Sequence, residues 1–141
     1  MNTSLPLATE TTIIYVYDNT FEGLLTAVFE GYVQKHWQAQ IMTDIEYTPQ
    51  LFALKYIVET NADKASRVWK GLLAKMEKSE RSLLVKCFLS ELPQREEIIY
   101  QYIQYALRSH QNIARDYGNK YVLELAQIVK MVGREIGRAH V

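Results

Sequence analysis

Apolar positions along the chain change period several times, and each change marks an element. Residues 12–17, TIIYVY, form a β-branched and aromatic run, which predicts a strand. Asp18-Asn19-Thr20 interrupts it. Phe21, Leu24, Leu25, Val28, Phe29, Tyr32 and Val33 then recur at the three-and-four spacing of one helical face. Asn19 followed three residues later by Glu22 predicts a capping box, in which each side chain satisfies a backbone donor at the helix start. Gly23, Ala27 and Gly31, spaced by four, make a small-residue ridge beside the stripe, open to a close neighbour.

Residues 38–50 read as a loop ending at Pro49, and the segment LFALKYIVET places a second strand at about 51–58. Thr60 and Asn61 offer caps for a helix whose apolar face is Ala62, Ala65, Val68, Trp69, Leu72, Leu73 and Met76. Ser79 caps a further helix through Leu89, and Pro93 suits the first turn of the next, which runs to about His110. Tyr117-Gly118-Asn119 reads as a turn before a last helix carrying Val122, Leu125, Ala126, Val129 and Val132. The sum is a mostly helical α+β fold with strands at 12–17 and 51–58 and about five helices. Two strands are few for a sheet, so further strands are expected beyond this sequence.

With 141 residues, 48% of them hydrophobic, the chain can bury one ordinary core. That predicts a single domain over 12–135, preceded by a disordered arm at 1–11. Net charge is zero from 16 basic and 16 acidic residues, yet the charge is segregated along the sequence. Residues 1–63 hold eight acids and two bases, whereas residues 64–86 hold seven bases and two acids. The lone Cys87 excludes an internal disulfide framework and suits a reducing compartment. The N-terminal residues have no basic or apolar run of a signal peptide, and no stretch has the length of a membrane span. The expectation is a cytoplasmic protein with no membrane partner.

The last six residues, IGRAHV (136–141), are spelled by ATC GGA AGA GCA CAC GTC, a widely used sequencing-library adapter in one frame. The expected native sequence therefore ends at about Glu135, and residues 136–141 are set aside from functional reasoning as an adapter artefact. A natural basic tail is the alternative.

Four islands carry a resemblance: YVYDNTFEGLLTAVFEGY (15–32), KASRVWKGL (64–72), FLSELP (88–93) and VGRE (132–135). In this order the chain resembles a bacterial DNA-metabolism and DNA-repair protein family, a domain of unknown function. The family is paired in many genomes with a radical-SAM protein of DNA modification or repair, and is sometimes fused to a uracil-DNA glycosylase-like domain. In the family the VGRE-like segment continues into a histidine-containing stretch and a strand-rich half. This chain departs from that pattern after Glu135, so the resemblance implies a truncated copy whose partners are the radical-SAM protein, DNA and a glycosylase-like domain.

Among candidate sites, Lys64, Arg67, Lys75 and Lys78 fall on one side of a helix extended through this segment, with Lys70 flanking and Arg81 and Lys86 behind. Several cations on one surface are what a phosphate backbone recruits; a solvated basic face beside an acidic segment would look the same. Tyr100, Tyr102, Tyr105, Tyr117 and Tyr121 are either base-stacking surfaces or helical core. Asp18, Arg134 and Glu135 are polar positions inside the family-like motifs, readable also as a turn residue and a helix-end charge pair. His36 with Trp37 has no partner visible in sequence, and His36 suits the C-terminal charge of its helix. Cys87, His36 and His110 have no ligand-type spacing, so neither metal nor cofactor is expected, and there is no cysteine triad for an iron-sulfur cluster. The expected function is an accessory DNA-repair or DNA-metabolism protein that binds nucleic acid beside a radical-SAM partner. Two other classes stay open: a helical protein-interaction module, and a nucleobase-directed enzyme completed by the missing half.

Overall fold

The structure, a computed structural model, describes residues 11–109 and 118–139, the side chains at 129 and 131–139 excepted. Among the described residues it holds three strands and five helices: β1 (Thr12–Tyr17), α1 (Phe21–Val33), β2 (Gln40–Thr43), β3 (Ala53–Ile57), α2 (Ala62–Leu73), α3 (Lys78–Leu89), α4 (Arg95–Arg108) and α5 (Lys120–Ala139). The fold is α+β and mostly helical. The chain divides into two compact units, Met1–Ala65 and Ser66–Val141, with the division inside α2. The arm expected at 1–11 lies, apart from Thr11, outside the described residues, as do Tyr117 and His110.

The first unit is a three-stranded parallel sheet in the order β2-β1-β3. β1 is central because it is the most apolar strand: Ile14, Tyr15, Val16 and Tyr17 are all nearly inaccessible, as a strand flanked on both edges requires. The expected loop at 38–50 is corrected by β2. Four residues with one apolar buried position, Ile41, give too short a periodic signal, and their pairing with residues 14–17 is non-local. β2 also removes the reason for expecting missing strands, since it supplies the third strand from within the chain. The β3 ladder is shorter than 51–58. Leu51 and Phe52 precede it, and Phe52 takes a left-handed φ of 58° that breaks the extended run.

The start of α1 is built differently from the capping box expected of Asn19 and Glu22. Asn19 itself has φ of 65°, and Thr20 is the cap: its Oγ1 accepts from the Gly23 amide at 2.9 Å. At the other end Lys35, φ 60°, lets the His36 amide reach Gly31 O at 2.8 Å and its own amide reach Tyr32 O. This is a Schellman closure made by lysine where glycine is usual.

The second unit is helical. Val68, Leu72 and Met76 bring the apolar face of the first basic segment inward, while α3, α4 and α5 pack on one another around Leu84, Cys87, Ile99, Tyr102, Ile103, Val122 and Leu125. Three sequence boundaries shift. α2 ends at Leu73, so the helix expected to reach Met76 stops a turn earlier. α3 starts at Lys78 with Glu77 at its cap and Ser79 inside it, and α4 starts at Arg95 instead of at Pro93. Asn61 and Asn119 act as caps, their Oδ1 atoms accepting from Lys64 N and from Tyr121 and Val122 N.

Candidate functional site

One polar constellation of the first unit arises from strand register. Tyr15 on β1 pairs with Tyr56 on β3, which sets the rings on one side of the sheet, stacked with centroids 5.2 Å apart. The Schellman turn after α1 delivers His36 to the same place. Its Nδ1 lies 2.7 Å from the Tyr15 hydroxyl, and its ring centroid is 5.9 Å from each tyrosine ring. Burial, then Tyr56 and Glu30, push the Tyr15 phenol up to about 12. It is therefore a neutral hydroxyl through the physiological range, donating to Nδ1 when that nitrogen is unprotonated.

Beside this cluster opens a cleft of about 540 Å³, lined by Tyr15, Glu30, Gln34, Tyr56, Asn61 and Lys64 together with residues 57–60. Lys64 crosses it to Glu30 in an ion pair of 2.8 Å, partly exposed on both sides, and exposed pairs of this kind contribute little to stability. The lining carries Glu30 and Glu59 against the single cation Lys64. A phosphate would meet two carboxylates here, so the cleft suits a neutral or cationic polar group.

Asp18 serves the frame. Its carboxylate accepts from the Thr20 amide at 3.0 Å and from the Thr20 and Thr60 hydroxyls at 2.6 Å each, tying the end of β1 to the segment after β3. The Thr20 hydroxyl, then that of Thr60, hold its pKa below the usual carboxylate range. The turn reading of this residue thus describes its geometry, with a long-range bond that local sequence does not contain. Thr26, off the apolar stripe of α1, is buried, and its hydroxyl accepts from Asn61 N at 3.1 Å.

The small-residue ridge has a polar neighbour here. A Cβ on Gly23 would stand 2.2 Å from Asp18 Oδ1, 2.9 Å from Thr60 Oγ1 and 3.0 Å from Thr20 Oγ1. Gly23→Ala is expected to destabilise the first unit by about 1–3 kcal/mol despite alanine's better helix propensity. In an Asp18→Ala background the same change should cost less, because the closest clashing atom is gone. Urea unfolding of the four chains measures both values, and equal costs in the two backgrounds would remove Asp18 as the cause.

The basic residues do not make one helical side, because α2 ends before Lys75 and Lys78 begins α3. Lys64 is held by Glu30, and Lys75 Nζ donates to Ser109 O at 2.5 Å, each within its own unit. Arg67 and Lys70, neighbours on α2, and Lys78 are exposed. Tyr100 and Tyr102 are core residues, 1% exposed each, and a stacking role is closed to them as they stand. Burial, with Glu80 nearby, raises Tyr102 to about 12. Arg134 and Glu135 fall within α5, but their side chains lie outside the described residues.

Among the described residues no three His, Cys, Asp or Glu side chains converge as metal ligands, and no helix is long and apolar enough to cross a membrane. Cys87 is buried, and that burial pushes its thiol up to about 12, away from the thiolate a nucleophile needs. Sequence reading did not find the Tyr15, His36 and Tyr56 cluster. Alternation in residues 12–17 shows which side Tyr15 shares, but its neighbours come from a register set in three dimensions. No protein-family model, curated protein or solved structure matches the chain.

Proposed function

We propose that this chain is an accessory DNA-metabolism protein that binds nucleic acid through its basic central segment and acts beside a radical-SAM DNA modification or repair protein, without chemistry of its own. One observation carries the reading: Arg67, Lys70 and Lys78 are exposed cations within a segment of high positive charge in a chain of zero net charge. Clustered exposed cations bind the phosphate backbone by releasing its counterions, with no demand on base sequence. The resemblance of residues 15–32, 64–72, 88–93 and 132–135 to a DNA-repair family supports the same direction, as does its pairing with a radical-SAM protein and a glycosylase-like domain. Lys64 and Lys75 play a smaller part, since each would first have to leave Glu30 or Ser109 O.

The test is fluorescence anisotropy with labelled single- and double-stranded DNA over a salt series. Arg67→Glu, Lys70→Glu and Lys78→Glu together are expected to weaken binding at least about tenfold. On duplex they should also flatten the salt dependence, by roughly 0.9 in log–log slope for each phosphate left unneutralised. Unchanged affinity and slope would overturn the assignment. A protein-interaction module is the second reading, favoured by apolar residues exposed on β3 and along the connection from β2 that leads to it: Ile45, Leu51, Phe52, Leu54 and Ile57. Co-purification with the radical-SAM protein after nuclease treatment, with no affinity for either DNA, would favour it.

A further inference from the structure

Among the described residues β3 ends the sheet on its side, and it has few of the features that protect an edge. Its length is five residues, it contains no proline, and Leu54 and Ile57 are 51% and 73% exposed. The direction of its free hydrogen-bonding groups follows from the ladder with β1. Thr12 N donates to Phe52 O and Val58 N donates to Val16 O, so the even-numbered residues turn their backbone groups toward β1. In an extended strand the direction alternates. Ala53, Lys55 and Ile57 therefore turn N–H and C=O outward, and Glu59, two residues past the end of β3, continues the same side once a partner strand extends the ladder beyond Val58.

We propose that this edge is a homodimer interface, at which β3 of a second copy adds antiparallel and joins two three-stranded sheets into one of six strands. A twofold axis requires a self-complementary strand, and the sequence meets that requirement at one register. With the axis at Ile57, each Lys55 stands opposite the partner's Glu59, and each Glu59 opposite the partner's Lys55. Ile57 faces its own copy, and Tyr56 stands opposite the partner's Val58. Every outward N–H and C=O from 55 to 59 then meets a counterpart, because the pairs 55 with 59 and 57 with 57 are of the hydrogen-bonded kind. An axis at Lys55 would set two ammonium groups against each other, and one at Tyr56 would set Lys55 against Ile57; like charges directly opposite are unfavourable. Lys55 is positioned for the exchange: its ammonium lies 4.4 Å from the centre of the Tyr47 ring, an exposed contact that a carboxylate can replace or join.

The experiment is sedimentation velocity of the nuclease-treated full chain over a concentration series. The wild-type chain should be a dimer at high concentration. Lys55→Glu and Glu59→Lys should each raise the dissociation constant about tenfold or more, since the twofold axis turns two attractive pairs into two repulsive ones. The double variant Lys55→Glu/Glu59→Lys should regain wild-type association, a recovery that damage to the fold would not give. Ile57→Pro removes an outward donor while sparing the bonds to β1, and it should leave a folded monomer. Monomers at every concentration, or a dimer that neither single charge change weakens, would overturn the proposal. Hydrogen exchange that finds the amides of 55 and 57 protected in a monomer would overturn it too, by showing that another segment of the same chain occupies the edge. None of these readouts involves DNA, so they stand or fall apart from nucleic-acid binding.

Discussion

Arg95→Ala is expected to lower the unfolding free energy by about 3–5 kcal/mol, the range for stranding one member of a buried ion pair. Arg95 and Glu96 retain only 8% and 5% side-chain exposure, and Arg95 Nε meets Glu96 Oε2 at 3.1 Å. The guanidinium also donates to Phe88 O and lies 4.2 Å from the centre of the Phe88 ring. That carbonyl belongs to the last turn of α3, where helix geometry leaves acceptors without internal partners. Arg95 thus closes the end of one helix from the first residue of the next, across the FLSELP segment. Alanine would leave the Glu96 carboxylate buried without that cation and take one donor from Phe88 O, leaving it the Glu91 amide at 3.3 Å. The double variant Arg95→Ala/Glu96→Ala should be more stable than Arg95→Ala alone, because it also removes the buried carboxylate that loses this cation. Chemical denaturation of the three chains decides the matter. A cost below about 1 kcal/mol for Arg95→Ala, or a double variant less stable than the single, would show that the pair does not hold the joint.

The second large effect is loss of structure in alkali. Burial holds the Tyr15 and Tyr102 phenols and the Cys87 thiol protonated up to about 12, against ordinary values of 10.0, 10.0 and 9.0. Each folded pKa is raised, so between pH 9 and 12 the native state binds more protons than the unfolded chain, and stability falls as pH rises. The contribution is complete below about pH 9 and gone above about pH 12. One pKa unit corresponds to about 1.4 kcal/mol, so shifts of two units and more at three sites compare with the whole stability of a small domain. Cooperative unfolding is expected before pH 12, with tyrosinate absorbance and helical circular dichroism changing together. Tyr102→Phe and Cys87→Ala should each move the midpoint to higher pH, since neither variant side chain ionises. Flat stability from pH 9 to 11 would contradict the burial of these groups.

The family-like islands gain a physical meaning from their positions. YVYDNTFEGLLTAVFEGY spans β1, the Asp18 latch and α1. FLSELP is the α3–α4 joint that Arg95 closes, and KASRVWKGL is α2 with two of its exposed cations. In the first island Asp18 and Thr26 tie α1 and the end of β1 to the segment after β3, and in the second the Phe88 carbonyl receives Arg95 from α4. This agrees with a scaffold whose function lies on its surfaces, and it moves Asp18 from candidate chemistry to architecture.

Sequence alone determined the class of the fold and the place of every helix, because a helix buries one face and writes a three-and-four period into its own residues. It determined β1 by the same local logic, and it located the charge segregation that motivates nucleic-acid binding. It did not determine β2, the Thr20 cap, the end of α2 at Leu73, or the cluster of Tyr15, His36 and Tyr56. Each of these depends on which residues meet across a sheet or a turn. Parallel pairing joins residues 14–17 to 40–43 and 12–16 to 53–57, and four or five residues of strand carry too little periodicity to announce their partners. Tertiary structure also decided how the lysines are used: nothing in the sequence tells that Lys64 meets a carboxylate and Lys75 a carbonyl, and only packing supplies both. Local period is a property of one segment; register and ion pairing are properties of two.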